Sequence, residues 1–359
     1  MNTARRYPWR IVLLVVAGLV AAAVGAVLAL ARGGETPTTT SIVAPSRGSI
    51  GAGVVLINTD LAFQGAAAAG TGMVLTPSGK VLTNNHVISG ATTIDVVVPN
   101  TGHSYKARVV GYDRTADVAL LQLQGASGLK TVSISSASVS VGAKVTARGN
   151  ADGGGKITSA TGTVTALGQS IIASDPAGAS EHLTGLIETN AGIQPGDSGG
   201  PLLNSQGQVI GMDTAASSQF TVHDVSTTDA FAIPIGTAQT IVDAISSGKA
   251  SATVHIGTTP FLGIESASPD VPGLGHGGQA ATSSGALIVS VVSGGPAASA
   301  GLAGGDVITA FNGKSVSSPT ALTSLLLTKK PGAKVKVAYV DQSGTSHTAA
   351  VRLGSGPPQ

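Results

Sequence analysis

The sequence predicts a mostly β chain, with two modules in series behind one apolar N-terminal segment. Three observations carry that prediction. From about Gly51 onward, short runs rich in Val, Ile and Thr recur, each broken by Gly, Pro or Asn; this is the pattern of many short strands joined by tight turns. The 359 residues include 50 Gly, with 3% aromatic and 11% charged residues, a composition suited to turns and small packed strands rather than long charged helices. A Gly/Ser/Thr-rich stretch at 248–258 divides the β pattern in two and reads as a linker.

The N-terminal segment comes first. Ile11 to Ala31 is a run of 21 uncharged, mostly apolar residues, and about 20 such residues cross the hydrocarbon core as a helix. Arg5, Arg6 and Arg10 precede it and Arg32 closes it, so the positive-inside rule keeps the N-terminus in the cytoplasm and exports the rest. The rival expectation is a signal peptide cleaved after Ala31, because Ala29-Leu30-Ala31 fits a small-residue cleavage site. Residues 1–32 are thus a cytoplasmic tip with an anchor or signal peptide, and 33–48 a polar spacer without apolar periodicity. Either way the bulk of the chain is extracytoplasmic, membrane-tethered in one case and secreted in the other.

In the first module, 49–247, strands are expected at Val54–Ile57, Thr93–Val98, Ala107–Val110, Val118–Leu123, Lys144–Ala147, Gly185–Thr189 and Gln208–Met212. A helix closes it, with Ala238, Ile241, Val242 and Ile245 on one face and Gly248 as its stop. In the second module, 259–354, strands are expected around Ala286–Val292, Asp306–Phe311 and Lys334–Val340. Asn312-Gly313 predicts a hairpin turn. Ser318-Pro319 supplies an N-cap and a first-turn proline for a helix carrying Leu322, Leu325 and Leu326. No repeat of fixed period is visible.

Composition excludes several classes of function. There is no cysteine, hence no disulfide, thiolate metal site or Cys nucleophile. Setting aside the four N-terminal arginines leaves 16 basic against 18 acidic residues, so the exported part carries no electrostatic footprint for nucleic acid. Seven histidines show no metal-ligand spacing, and neither a metal nor another cofactor is expected.

The chemistry concentrates in Gly196-Asp197-Ser198-Gly199-Gly200-Pro201. A serine hydroxyl needs an adjacent base and backbone N–H groups aimed at a developing oxyanion, and glycines let the backbone take the required φ/ψ. The candidate base is His86, where a turn begins after an apolar strand. The candidate orienting acid is Asp117, at the start of Asp117-Val118-Ala119-Leu120-Leu121, because an acid that holds an imidazole tautomer must be buried. Asp95 and Asp113 compete for that role, and Asp113, in the polar turn Tyr112-Asp113-Arg114-Thr115, suits the surface better.

Together these residues carry a resemblance. The order His…Asp…Ser, at spacings of 31 and 81 residues, is similar to the chymotrypsin order. Thr83-Asn84-Asn85-His86-Val87, Asp113–Leu120 and Gly196–Leu202 resemble the HtrA/DegP family of serine proteases, as do Gly70-Thr71-Gly72 and Phe231-Ala232-Ile233-Pro234-Ile235. Within that family the string is most similar to the actinobacterial secreted PDZ proteases of the PepA type. The resemblance covers about 50–354. It implies a chymotrypsin-like double β-barrel of six strands each, with the triad His86, Asp117 and Ser198 in the cleft. It also implies an oxyanion hole from the Gly196 and Ser198 N–H groups. In trypsin-like enzymes the S1 base lies six residues before the nucleophile, here Gly192, facing a wall on the strand of Thr214 and Ala215. Small residues there imply a small or medium apolar P1 side chain, with Asp213 an open question. The second module resembles a circularly permuted bacterial PDZ domain, whose carboxylate-binding loop would be Phe261, Leu262, Gly263 and Ile264. Successive N–H groups there cradle a peptide's terminal carboxylate while the peptide adds a strand beside the helix at 319–328.

The implied function is extracytoplasmic endopeptidase action on unfolded or exported proteins by acyl-enzyme chemistry, with C-terminal peptides bound at the PDZ groove. A PDZ-dependent chaperone with little proteolysis is the alternative, which the unbroken triad disfavours. Homotrimers are common in the family, though no residue here counts subunits. One departure stands out: Asp197 occupies the position before the serine, where the family usually has Asn. The chain has no basic-Ile-Val-Gly-Gly site from which a new N-terminal amine could neutralise Asp197, and the nearby sequence offers no obvious basic partner.

Overall fold

Side chains that are stiff at χ1 fit a pleated, half-buried surface, and the first strands follow that chemistry. They are β1 (Val54–Leu61), β2 (Ala66–Val74), β3 (Lys80–Thr83), β4 (Thr93–Val98), β5 (His103–Asp113) and β6 (Val118–Leu123). Each pairs antiparallel with its neighbour in the order β5-β4-β1-β2-β3-β6, and β6 returns to β5, closing a barrel. Val55, Ile57, Val81, Val96 and Leu121 fill it. The computed structural model describes residues 51–174, 180–216, 230–270 and 284–359, all within one unit, Arg47–Gln359. The expected membrane segment and the 33–48 spacer lie outside the described residues. Among the described residues, no helix is long and apolar enough to cross a membrane.

A second closed barrel follows, from β7 (Lys144–Gly149), β8 (Thr158–Ser174), β9 (Ser180–Thr189), β10 (Pro201–Leu203), β11 (Val209–Ala216) and β12 (Ala230–Pro234). Its strand order, β10-β11-β12-β9-β8-β7 with β10 back on β7, repeats that of the first barrel. The repeat is topological: the two halves share strand order without a visible sequence period. A cluster including Leu82, Leu120, Met212 and Phe231 joins strands of both barrels. Helix α1 (Asn85–Ile88) is one turn after β3, and helix α2 (Ile235–Ser246) lays Ala238, Ile241, Val242 and Ile245 on that cluster. Beyond α2, Gly248 (φ 73°) donates to the Ile245 carbonyl at 3.1 Å, so the helix stops where the sequence expects.

The stretch expected to link the modules differs from that expectation. Within it, β13 (Val254–Ile256) pairs with Asp113–Gly111 of β5 and extends the first sheet. Its three residues alternate too briefly to register as a strand; the open edge of β5 recruits them.

The second module contains β14 (Thr259–Phe261), β15 (Ile264–Ala267), β16 (Ala286–Val291), helix α3 (Pro296–Ser299), β17 (Val307–Phe311), β18 (Lys314–Ser315), helix α4 (Pro319–Leu327), β19 (Lys334–Val340), β20 (Ser346–Arg352) and β21 (Gly354–Gly356). The main path of its sheet runs β15-β16-β17-β19-β20, and β14 pairs with β21. Asn312 and Gly313 both take positive φ (53° and 80°) and turn β17 into β18. The Ser318 hydroxyl caps α4, accepting from the Ala321 N–H at 3.1 Å. Leu262, Ile288, Phe311, Leu322 and Leu326 form its core.

After β21 the chain returns to the first module. The Gly90 N–H donates to the Pro358 carbonyl at 2.8 Å, and the Asn85 amide donates to the Gln359 carbonyl at 3.1 Å. The rings of Phe63, between β1 and β2, and Phe261, at the end of β14, stack with centroids 5.3 Å apart.

Candidate active site

His86 sits in the single turn α1, directly after β3. Asp117 sits where the chain turns from β5 into β6, with φ at 53°, a conformation that non-glycine residues rarely adopt and that the surroundings must hold. Asp113 builds that turn: its Oδ1 accepts from the Thr115 N–H (3.0 Å), the Thr115 hydroxyl (2.7 Å) and the Ala116 N–H (3.2 Å). Contrary to the surface role expected of it, Asp113 is buried, and its Oδ2 also accepts from Thr253. Asp95 pairs with Lys106 at 2.7 Å on the exposed face of the sheet.

The Asn84 amide holds the Asp117 carbonyl at 2.9 Å. The buried Asp117 carboxylate then accepts from the His86 N–H at Oδ1 (2.9 Å) and meets His86 Nδ1 at Oδ2 (2.8 Å). A third donor, the Thr214 hydroxyl, reaches Oδ2 from the second barrel at 2.5 Å. The His86 side chain is 45% exposed against 3% for Asp117. The acid is therefore sealed and the base stays open on one side, as a tautomer-fixing pair requires.

Ser198 lies in the loop 194–200, between β9 and β10. Its hydroxyl donates to the Thr214 carbonyl at 3.4 Å. Thr214 thus touches both the acid, through its side chain, and the serine, through its backbone. The loop's carbonyls are tied back. Gly196 O accepts from the Thr71 hydroxyl (2.7 Å), Ser198 O from the Thr71 N–H (2.9 Å), Asp197 O from the Gly200 N–H (2.8 Å) and Pro195 O from the Asp152 N–H (2.7 Å). Among the described residues no acceptor meets the N–H of Gly196 or of Ser198, which leaves the pair available to an oxyanion. Gly199 is obligatory here: at φ 85° a Cβ would collide with the Thr71 carbonyl.

Asp197 has a partner close by. Its Oδ2 accepts from the Gln194 N–H at 2.8 Å, while Oδ1 is buried without a partner. Burial raises its pKa above the ordinary carboxylate value; the Gln194 N–H lowers it and the Asp152 charge raises it further. Asp213, on β11, is 0% exposed, and both its carboxyl oxygens lack partners. Burial, then the charge of Asp197, pushes it well above that range.

Of the residues expected at S1, Gly192 is exposed and opens onto empty space, with no atom within 4 Å of where a Cβ would lie. Thr214 is buried and gives its hydroxyl to Asp117 rather than to a pocket wall. The Ala215 side chain lies outside the described residues. Two residues not singled out from sequence, Thr71 and Asn84, hold the loop and the Asp117 turn. Their only signal was their place inside the strings Gly70-Thr71-Gly72 and Thr83-Asn84-Asn85.

In the second module, the loop Phe261-Leu262-Gly263-Ile264 is arranged by the same device. Leu262 O accepts from the Ala297 N–H and Gly263 O from the Val292 N–H, each at 2.9 Å. Gly263 has φ 79°, and a Cβ there would press on Pro296 at 3.2 Å. Next to the loop, β15 ends the main path of its sheet, the edge that an added peptide strand needs. A cavity of about 160 Å³ beside it is lined by Phe261, Ile264, Ser290, Phe63 and Pro357.

Residues 70–212 match the trypsin-like peptidase domain family, and residues 260–353 the PDZ domain family. The chain is 35% identical over 298 residues to the serine protease Do-like HtrA of Lactococcus lactis, across 79% of this chain and 70% of that protein. It belongs to the HtrA family. Two further relatives of this HtrA-family chain are the serine protease PepD of Mycobacterium tuberculosis (35% identical, 84% of this chain, 63% of that protein) and the periplasmic pH-dependent serine endoprotease DegQ of Escherichia coli (36%, 75% and 55%). The chain therefore spans only 63% and 55% of the lengths of those two HtrA-type relatives.

Proposed function

We propose that the chain is an extracytoplasmic serine endopeptidase that cleaves unfolded or exported proteins through an acyl-enzyme, with Ser198 as nucleophile. The observation that carries this reading is the sealed Asp117–His86 pair, with Nδ1 at 2.8 Å from Oδ2, joined through Thr214 to a serine loop whose Pro195, Gly196, Asp197 and Ser198 carbonyls are held by other donors while, among the described residues, the N–H groups of Gly196 and Ser198 meet no acceptor. In this mechanism the Ser198 oxygen attacks the scissile carbonyl and passes its proton to His86 Nε2, while Asp117 steadies the imidazolium. The carbonyl oxygen, now an anion, is held by the two N–H groups. Collapse expels the amine with the proton from His86, leaving Ser198 acylated; water, deprotonated by His86, then releases the acid. The open space at Gly192 supports a small or medium apolar P1 residue.

The same proposal assigns 49–247 to the protease domain and 259–354 to a PDZ domain that binds C-terminal peptides at Phe261–Ile264. It also tethers the chain to the membrane by Ile11–Ala31. The order of charge and hydropathy supports the tether, and the periplasmic relative supports extracytoplasmic placement. The decisive experiment is casein hydrolysis by wild type, Ser198→Ala, His86→Ala and the double variant. Each single change is expected to lower kcat by at least about a thousandfold, and the pair little more than either alone. Near-wild-type turnover in either single variant overturns the assignment.

A further inference from the structure

Buried carboxyls ordinarily find a cation or several donors, because an isolated charge in a low dielectric is costly. Around Ser198 two of them find almost none. Asp213 is 0% exposed and Asp197 4%, and three of their four side-chain oxygens have no hydrogen-bond partner. Among the described residues no Lys or Arg forms an ion pair with either. Arg148, on β7, keeps its Nε buried without an acceptor. The remaining charged groups nearby are Asp152 on the loop before β8, which adds negative charge at Asp197, and the Asp117–His86 pair reached through Thr214.

Backbone bonds tie these acids to the reacting loop. The Asp213 N–H donates to the Gly200 carbonyl and the Gly199 N–H donates to the Asp213 carbonyl, both at 2.8 Å. Asp197 precedes the nucleophile, and its own carbonyl accepts from Gly200 at 2.8 Å. Whatever shifts the Asp213 peptide moves both residues that follow Ser198.

We propose that Asp213 and Asp197 form a buried carboxylic-acid pair that holds the Gly196–Gly200 loop in its oxyanion-binding form only while Asp213 carries a proton, which makes Asp213 a positioning residue for hydrolysis. The role rests on the hydrolase reading above. With the proton in place, Asp213 is neutral and the only buried charge in the pair is on Asp197, which the Gln194 N–H stabilises. Loss of the proton puts two like charges in one buried site where, among the described residues, neither forms an ion pair with Lys or Arg. The nearest relief is movement of the β11 peptide or entry of water, and either disturbs Gly199 and Gly200.

The sign follows from the direction of the shifts. Both acids are raised above their unfolded values, Asp213 the more strongly. Their contribution to stability is complete below the ordinary carboxylate range and is lost as pH rises through the folded values. Activity needs His86 as an unprotonated base. Ionisation of Asp213 then draws it down, giving an alkaline limb that does not belong to the triad.

The test uses the full chain and its Asp213→Asn variant, in which an amide of the same shape stays neutral at every pH. Three readouts are taken across the range: kcat/KM on an apolar-P1 substrate, Tm, and the infrared carboxylic-acid C=O band. In wild type, kcat/KM is expected to fall at least about fivefold as pH is raised through the alkaline range, whereas in Asp213→Asn it stays within about twofold of its own neutral value. Wild-type Tm should drop over the same span more than that of the variant. A neutral-pH acid band should vanish from wild type in step with kcat/KM and be missing from the variant. Parallel pH profiles in the two proteins, or no acid band in wild type at neutral pH, overturn the proposal, and the second result needs no variant. Absence of hydrolysis at every pH overturns the hydrolase reading and the positioning role with it; an Asp213-dependent Tm slope and acid band would still register the proton on the pair.

Discussion

At Thr71 one hydroxyl both donates to the Gly196 carbonyl and accepts from the Asn150 N–H, while the N–H of the same residue donates to Ser198. Thr71→Val keeps the shape and removes both side-chain bonds, leaving a buried carbonyl and a buried N–H unpaired at about 1–3 kcal/mol each. The freed Gly196 carbonyl can rotate into the oxyanion position. We therefore expect kcat to fall at least about tenfold with KM nearly constant, and Thr71→Ser to recover most of it; an unchanged kcat in Thr71→Val would show that the loop holds itself. Thr214 gives a parallel expectation. Thr214→Val removes one of three donors to Asp117 and should lower kcat by about tenfold, with Thr214→Ser close to wild type, as read from steady-state kinetics. These two threonines also mark the limit of what the sequence discloses at this scale. His86, Asp117 and Ser198 are legible because each sits in a distinctive string beside an apolar strand. Thr214 is not, because its partner lies 97 residues away in the other barrel. A β-bulge between Asp213 and Ala215 breaks the alternation that would tell which neighbouring side chain faces inward.

The loop from Phe261 to Ile264 turns two carbonyls onto the N–H groups of Ala297 and Val292, which fixes its backbone. A peptide ending in an apolar residue should bind there, and amidating its C-terminus should weaken Kd by at least about tenfold, because a charge-assisted bond is lost. Gly263→Ala should weaken the acid peptide by a similar factor, since a side chain at φ 79° strains the turn and presses on Pro296. Calorimetry decides both: equal affinity for acid and amide forms removes the carboxylate from the account. Strand elements rich in Val, Ile or Leu, such as β4, β6 and β19, match the sequence expectation end to end. Those the sequence hid are built differently. β2 reads Ala-Ala-Ala-Ala-Gly-Thr-Gly-Met-Val, and β8 mixes Thr, Ser, Gly and Ala over 17 residues. The alanines and glycines of β2 give it little intrinsic strand preference, and β8 scatters its Thr, Val and Ile among Gly, Ser and Ala; each is held by partners on both sides, β2 between β1 and β3, β8 between β7 and β9.

Across the whole molecule, described residues of the two modules meet through Phe63 and Phe261, Gly90 and Pro358, Asn85 and Gln359, and Tyr112 and Thr259. Phe63 stacks on Phe261 at the end of β14, and Asn85, next to His86, holds the Gln359 carbonyl. A double-mutant cycle on Phe63→Ala and Phe261→Ala should return a coupling of about 0.5–1.5 kcal/mol in thermal or denaturant unfolding. Additive effects would mean that the rings touch without holding the modules. Little of this seam was readable from the chain: the aromatic partners are 198 positions apart in numbering, and the segment at 248–258 carries the composition of a spacer. Yet β13 within it covers the backbone of Gly111–Asp113. That cover has a practical side for anyone dissecting the molecule. A fragment ending at Ser247, where helix and linker part in the sequence, would present three bare amide–carbonyl positions along β5, an invitation to another copy to add itself there and begin an aggregate. A fragment ending at Gly257 would carry its own closing strand. Light scattering on the two fragments at equal concentration should find the shorter one growing into large particles with time and the longer one constant in mass.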